Sequence, residues 1–212
     1  MQLKNHYATR GQVTTDRLVP AWFAPVVVLA LAGAMLLTAA LAHADAPTLT
    51  DKIVAVLPSL ASKKDEPVDA QELAEAVAAT TKDPQWAALE LAVMANESAL
   101  SARVARGEYR DAEADSYKDK DGTIHHRAWG LGQLHSNKLN ESVWGSSDIR
   151  VQVSETSKAL RRGFYQCSNY HEKLRPDWVA RTVNGYAGKK CDLQWPGLDK
   201  RVATFKRIVG RL

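Results

Sequence analysis

The most regular alternation of apolar and polar positions lies over residues 83–100, DPQWAALELAVMANESAL. Trp86, Leu89, Val93 and Glu97 fall at i, i+3, i+7 and i+11, one face of a helix with 3.6 residues per turn. Asp83 suits an N-cap and Pro84 the first helical position, so the spacing predicts a helix whose apolar stripe ends in a carboxyl group. Around it the pattern predicts a packing helix over 68–80, with Asp69 as N-cap and Glu72 and Glu75 on its wet face. Further helices are expected over 147–167, with Val151, Ala159, Leu160 and Phe164 in the core, and over 177–183. A closing amphipathic helix over 198–212 would carry a basic, solvated face. Residues 118–126, KDKDGTIHH, contain the Asp-Gly turn of a hairpin or tight loop.

The start of the chain is different in kind. Lys4, Arg10 and Arg17 stand against one acid, Asp16, and residues 21–42 are uncharged and mostly apolar, ending at Ala42-His43-Ala44. This is the order of an export signal, and the apolar run is also nearly long enough to stay in a bilayer. Residues 1–44 are therefore read as a signal peptide or an N-terminal membrane anchor, with the rest of the chain exported to the periplasm or cell envelope. Residues 45–67 read as a lead-in and linker, broken at Pro58 and ending in the solvated SKKDEP, and residues 68–212 as one domain. A composition of 45% hydrophobic and 25% charged residues is that of an ordinary globular protein. The net charge of +4 comes without a Lys/Arg block interleaved with aromatics, so nucleic acid is not an expected partner. The two cysteines, Cys167 and Cys191, are expected to form a disulfide in an exported chain.

Candidate chemistry centres on Glu97. A carboxyl group held against apolar side chains pays a desolvation cost on ionising and is expected to keep its proton toward neutral pH, as a general acid must. Gly130, Leu131, Gly132 and Gln133 form a second piece, in which glycines let the backbone approach a ligand and the Gln133 amide both donates and accepts. Metal sites are not expected. Placing Gly122 at the glycine of an EF-hand loop puts Tyr117 and Ala128 where its first and last ligands belong. His125, His126 and His135 match no zinc spacing.

Glu97-Ser98 at a helix end, followed by Gly130-Leu131-Gly132-Gln133, resembles the lysozyme-like, soluble-type lytic transglycosylases that cleave peptidoglycan glycan strands. The likeness runs over about residues 86–186. It implies a mainly α, lysozyme-like α (α+β) fold with a small hairpin or loop insertion beside the cleft, acting as a monomer without cofactor. It implies cleavage of the MurNAc–GlcNAc bond, with Glu97 protonating the glycosidic oxygen and then taking the proton of the muramic 6-hydroxyl, which closes a 1,6-anhydro ring. Ser98 would support the carboxyl or the substrate, and Gly130, Leu131, Gln133, Asn184 and Tyr186 would bind the sugar. Departures are visible. Gly132 stands where the family has methionine, and Val183 where it has tyrosine, so that Tyr186 supplies the phenol from a shifted position or the site lacks it. Residues 109–127 form an insertion, and ALSAR at 99–103 replaces the usual sequence after Glu-Ser. Two other readings stay open: a lysozyme-type muramidase, which needs a second carboxylate, and a non-catalytic peptidoglycan-binding protein. Glu90, the same-face partner on the helix, lies about 10 Å back along the axis, too far to serve.

Overall fold

The computed structural model describes residues 46–110, 116–135, 143–167 and 175–212. The chain divides into two compact units, 1–46 and 47–212, and the second holds all the elements below. The signal or anchor expected at 1–44 lies outside the described residues. Among the described residues no helix is long and apolar enough to cross a membrane.

The unit is mainly helical, with two small antiparallel sheets. In chain order it contains α1 (Leu49–Val56), a 3-10 turn (Leu57–Ser59), α2 (Ala70–Thr80), α3 (Pro84–Ser98) and the single turn α4 (Ala102–Ala105). Then come β1 (Ser116–Lys118), β2 (Ile124–His126), β3 (Ala128–Trp129) and β4 (Leu134–His135). Helices α5 (Ile149–Cys167), α6 (Trp178–Tyr186) and α7 (Pro196–Val209) close the unit.

Helix α3 is the centre. Asp83 accepts from the Gln85 N–H as N-cap and Pro84 occupies the first turn, as expected. The helix is not amphipathic, however, because every residue from Trp86 to Met94 is buried. Trp86, Leu89 and Val93 join Leu160, Phe164, Val183, Tyr186 and Leu198 on one side. Ala87, Ala88, Leu91, Ala92 and Met94 join Leu73, Val77, Val153 and Ile208 on the other. A helix with core on both flanks is apolar all round, and its small alanines let neighbours approach. Helix α5 buries Ala159, Leu160 and Phe164 as expected, while Gln152 and Val153 are buried rather than Val151.

Residues 45–67 do not form an extended lead-in. Thr48 and Asp51 close a capping box that starts α1. Ile53 and Val56 are 0% and 1% exposed, each contributing roughly 1.5–3 kcal/mol by burial. The Lys52 ammonium also binds the Leu212 carbonyl at 2.6 Å, tying α1 to the end of α7. Pro58 does not break the segment, since it occupies the 3-10 turn where its missing N–H costs nothing.

Cys167 and Cys191 form the expected disulfide between the end of α5 and the loop before α7. Closing a loop with a separation of 24 residues restricts the unfolded chain by roughly 3 kcal/mol.

Candidate functional site

Helix α3 ends at Ser98, four residues after Met94 closes its continuous buried run. Glu97 and Ser98 form its last turn, and Ala99 and Leu100 follow with φ of 54° each, both in the left-handed region. For residues with a Cβ that conformation costs about 1–2 kcal/mol each. The turn is held from two directions. The Ser98 hydroxyl donates to the Met94 carbonyl at 2.9 Å and accepts the Leu100 N–H at 3.3 Å. The solvated-looking segment 62–68 splints it by backbone bonds: Ser62 N–H to Ala99 O, Val68 N–H to Leu100 O, and Ala102 N–H to Glu66 O, at 2.9–3.0 Å. Ser98, expected to support the carboxyl or the substrate, is buried, and its hydroxyl bonds Met94 and Leu100 within this turn.

The Glu97 side chain is 19% exposed and meets a charge that local sequence does not announce. Arg201, on the face of α7 expected to be solvated, gives Nη2 and Nε to Glu97 Oε1 at 2.6 and 3.1 Å and is only 12% exposed. The pairing has a physical motive. The C-terminal turn of α3 carries the negative end of the helix dipole and no basic residue of its own, so a carboxylate there calls for an outside cation. Arg201 is in turn fixed in place. Its Nη1 donates to the Gly197 carbonyl at 2.6 Å, and its guanidinium lies 5.1 Å from the Trp195 ring centre. The Trp195 ring covers Gly197 so closely that a Cβ there would lie 1.8 Å from it. The Trp195 indole donates to Asn184 Oδ1 at 2.8 Å. Asn184, expected at the substrate, is buried, and its amide also donates to the Cys191 and Leu193 carbonyls at 3.1 and 2.9 Å. It reaches Glu97 only through Trp195 and Arg201.

The Gly130–Gln133 loop arrives from the other side, between β3 and β4. Gly130 and Gln133 both have positive φ, 70° and 47°. Gln152 of α5, a residue the sequence did not single out, holds the loop: its buried amide accepts the Leu131 N–H at 2.9 Å and donates to the Ala105 and Ser146 carbonyls. Leu131 is buried in the core at 0% exposure, so its side chain faces away from solvent. The Gly130 N–H donates to the Tyr109 hydroxyl at 2.9 Å, and the Tyr109 ring lies 4.9 Å from His126. The insertion does contain a hairpin, β1 paired with β2, and these contacts join it to the loop.

Gly132 has a local explanation. A Cβ at this position would lie 2.2 Å from the Thr156 hydroxyl and 3.0 Å from the Tyr186 hydroxyl, so the methionine of the family has no room. Tyr186 donates its hydroxyl to the Gly132 carbonyl. Burial, and after it the negative charge of Glu97, push the Tyr186 phenol well above its usual pKa, with Arg201 acting the other way. The phenol is therefore a neutral donor at any working pH. Helix α6 can bring it this close because α5 and α6 touch at glycines. A Cβ on Gly185 would lie 2.4 Å from the Gly163 carbonyl oxygen, and one on Gly163 2.4 Å from the Tyr186 nitrogen. Gly185 lies in the last turn of α6 and serves close packing.

Glu97, Gln133 and Tyr186, from three distant stretches of sequence, thus line one open pocket of about 260 Å³, together with Leu134, His135, Ala187, Lys189 and Arg201. Among the described residues Glu97 is the only carboxylate of that lining. Glu108 pairs with Arg106 at 2.8 Å, and Asp111, Glu113 and Asp115 lie outside the described residues. The apolar surroundings foreseen for Glu97 belong instead to Glu90, which is 0% exposed. Burial raises its pKa to about 7, against weaker opposing effects of Ser157, Thr80, Arg161 and Trp86. Thr80 donates to Glu90 Oε2 at 2.7 Å, while Oε1 finds no hydrogen-bond partner. Among the described residues no three His, Cys, Asp or Glu side chains gather as a metal site needs. His125 binds Asp119 at 2.6 Å, His126 faces Tyr109 and His135 lines the pocket. No protein-family model, no curated protein and no solved structure matches this chain.

Proposed function

We propose that the chain is a peptidoglycan lytic transglycosylase of lysozyme-like fold, cleaving the MurNAc–GlcNAc bond with 1,6-anhydro product formation. The observation that carries the reading is the pocket in which Glu97 meets Gln133 and Tyr186. Gln133 offers an amide to a sugar substituent, and its own Nε2 is within 2.9 Å of the Gly130 carbonyl, which fixes its direction. Tyr186 keeps a neutral phenol at the base of the pocket. A lone carboxylate suits a reaction in which one group serves first as acid and then as base, and in which the attacking oxygen comes from the substrate. A muramidase would want a second carboxylate roughly 5–10 Å away, and the pocket lining has none among the described residues. On this reading the protein works on glycan strands outside the cytoplasm, from which residues 1–44 export or anchor it.

The ion pair of Glu97 with Arg201 favours a second reading, a non-catalytic wall-binding protein, because a guanidinium at 2.6 Å favours the carboxylate over the proton donor. One experiment separates the two. Sacculi incubated with the protein should release muropeptides one water lighter than hydrolysis products, and Glu97→Gln should abolish them while the protein stays folded by circular dichroism. Full-mass reducing products would indicate a muramidase. Equal binding to sacculi by both proteins without any product would leave the wall-binding reading.

A further inference from the structure

A carboxyl group that must donate a proton gains nothing from a permanent counter-ion, yet Arg201 is held by two contacts of its own, one of them backed by a third. Gly197 takes Nη1, Trp195 backs the guanidinium and Asn184 holds Trp195. Arg201 presents Nε and Nη2 together to Glu97 Oε1. That edge of the guanidinium is the one that pairs with a carboxylate by two parallel hydrogen bonds. The groups facing Glu97 are Arg201 from α7, Tyr186 from α6, Lys189 from the loop after it, and Gln133 and His135 from β4 and the turn before it. Tyr186 is uncharged. Arg201 and Lys189 together exceed the single charge of Glu97, so the lining keeps one positive charge beyond internal neutrality. A pocket with that balance suits a singly charged anion.

We propose that Arg201 is a specificity residue for a carboxylate substituent on the glycan, and that Glu97 is its resting counter-ion, so that ligand and Glu97 compete for one guanidinium. The inference deepens the glycan-strand reading and rests on it. A ligand carboxylate that takes Arg201 displaces Glu97 from it, and Lys189 in the same lining balances the second negative charge. The carboxylate has two sources in peptidoglycan, the lactyl group of muramic acid and the first acidic residue of the stem peptide.

Calorimetric titration tests this without turnover. The probes are the GlcNAc–MurNAc disaccharide, the same disaccharide bearing L-alanyl-D-glutamate, and the neutral di-N-acetylated chitobiose, called chitobiose below. The protein should bind the better acidic probe on the order of tenfold more tightly than chitobiose, the range of one charged hydrogen-bonded pair. Glu97→Gln, which removes the competing anion, should tighten the acidic probe severalfold and leave chitobiose unchanged. Arg201→Gln should bring all three together. Whichever acidic probe gains from Glu97→Gln names the source of the carboxylate. Equal binding of all three by the natural protein, or no gain with Glu97→Gln, overturns the proposal and spares the glycan reading. Absence of any binding overturns both.

Discussion

Glu90→Gln should remove a pH-dependent weakness from the core of the protein. Glu90 sits in the middle of α3 at 0% exposure, with one oxygen on Thr80 and the other without a partner. Its pKa is raised from 4.5 to about 7, first by burial. At 1.36 kcal/mol per pH unit, that difference corresponds to roughly 3 kcal/mol between the protonated and ionised protein. The sign follows from which state binds the proton more tightly. The folded protein does, so the stabilisation is whole below pH 4.5 and is lost as pH rises to about 7, above which the deficit is constant. Glutamine keeps the shape and cannot ionise. Urea unfolding of both proteins at pH 4.5 and pH 8 measures the effect, and the difference between them cancels all other titrations. Those others include Asp51, Glu108 and Asp177, held low chiefly by hydrogen bonds from Thr48, Arg106 and Arg175, whose contributions are lost in the opposite direction as pH falls. The stability of Glu90→Gln relative to the natural protein should rise by roughly 3 kcal/mol from pH 4.5 to pH 8. A difference that stays constant within about 0.5 kcal/mol would refute the reasoning, because Glu90 would then ionise in the folded protein as easily as in the unfolded chain.

Two further changes test the backbone around the pocket. Gly132→Ala places a methyl group 2.2 Å from the Thr156 hydroxyl and should destabilise the protein by roughly 1–3 kcal/mol in thermal unfolding. An unchanged melting temperature would mean that the loop yields freely. Ala99→Gly relieves a left-handed residue at φ 54° and should stabilise by about 0.5–1 kcal/mol after the entropy of the added glycine is deducted. A drop in denaturation midpoint would show that the turn after Glu97 is not strained.

The parts of this architecture that are local in sequence were legible in it. Asp83-Pro84 announces the start of α3, Asp69 caps α2, the Asp121-Gly122 pair turns the hairpin, and the two cysteines pair with each other. The site was legible only where a residue's role does not depend on what else arrives. Arg201 lies 104 residues from Glu97, and a basic residue on an amphipathic helix reads as solvated until its partner is known. SKKDEP reads as linker because its side chains are polar, whereas its contribution to the turn is made by backbone groups that composition cannot reveal. Asn184 and Ser98 have side chains suited to a sugar, and both are already engaged with the protein. The reason for Gly132 lies in Thr156 and Tyr186, which only the fold brings to it.

The glycine crossing of α5 and α6 bears on how such a pocket can diversify. With no space for a single methyl group at Gly163 or Gly185, the position of Tyr186 against α5 is set by two bare backbones and cannot be adjusted by exchanging side chains at the crossing. A change of shape has to come from the 187–195 loop, which carries Lys189 and Trp195 and can lengthen or change composition while the crossing stays the same.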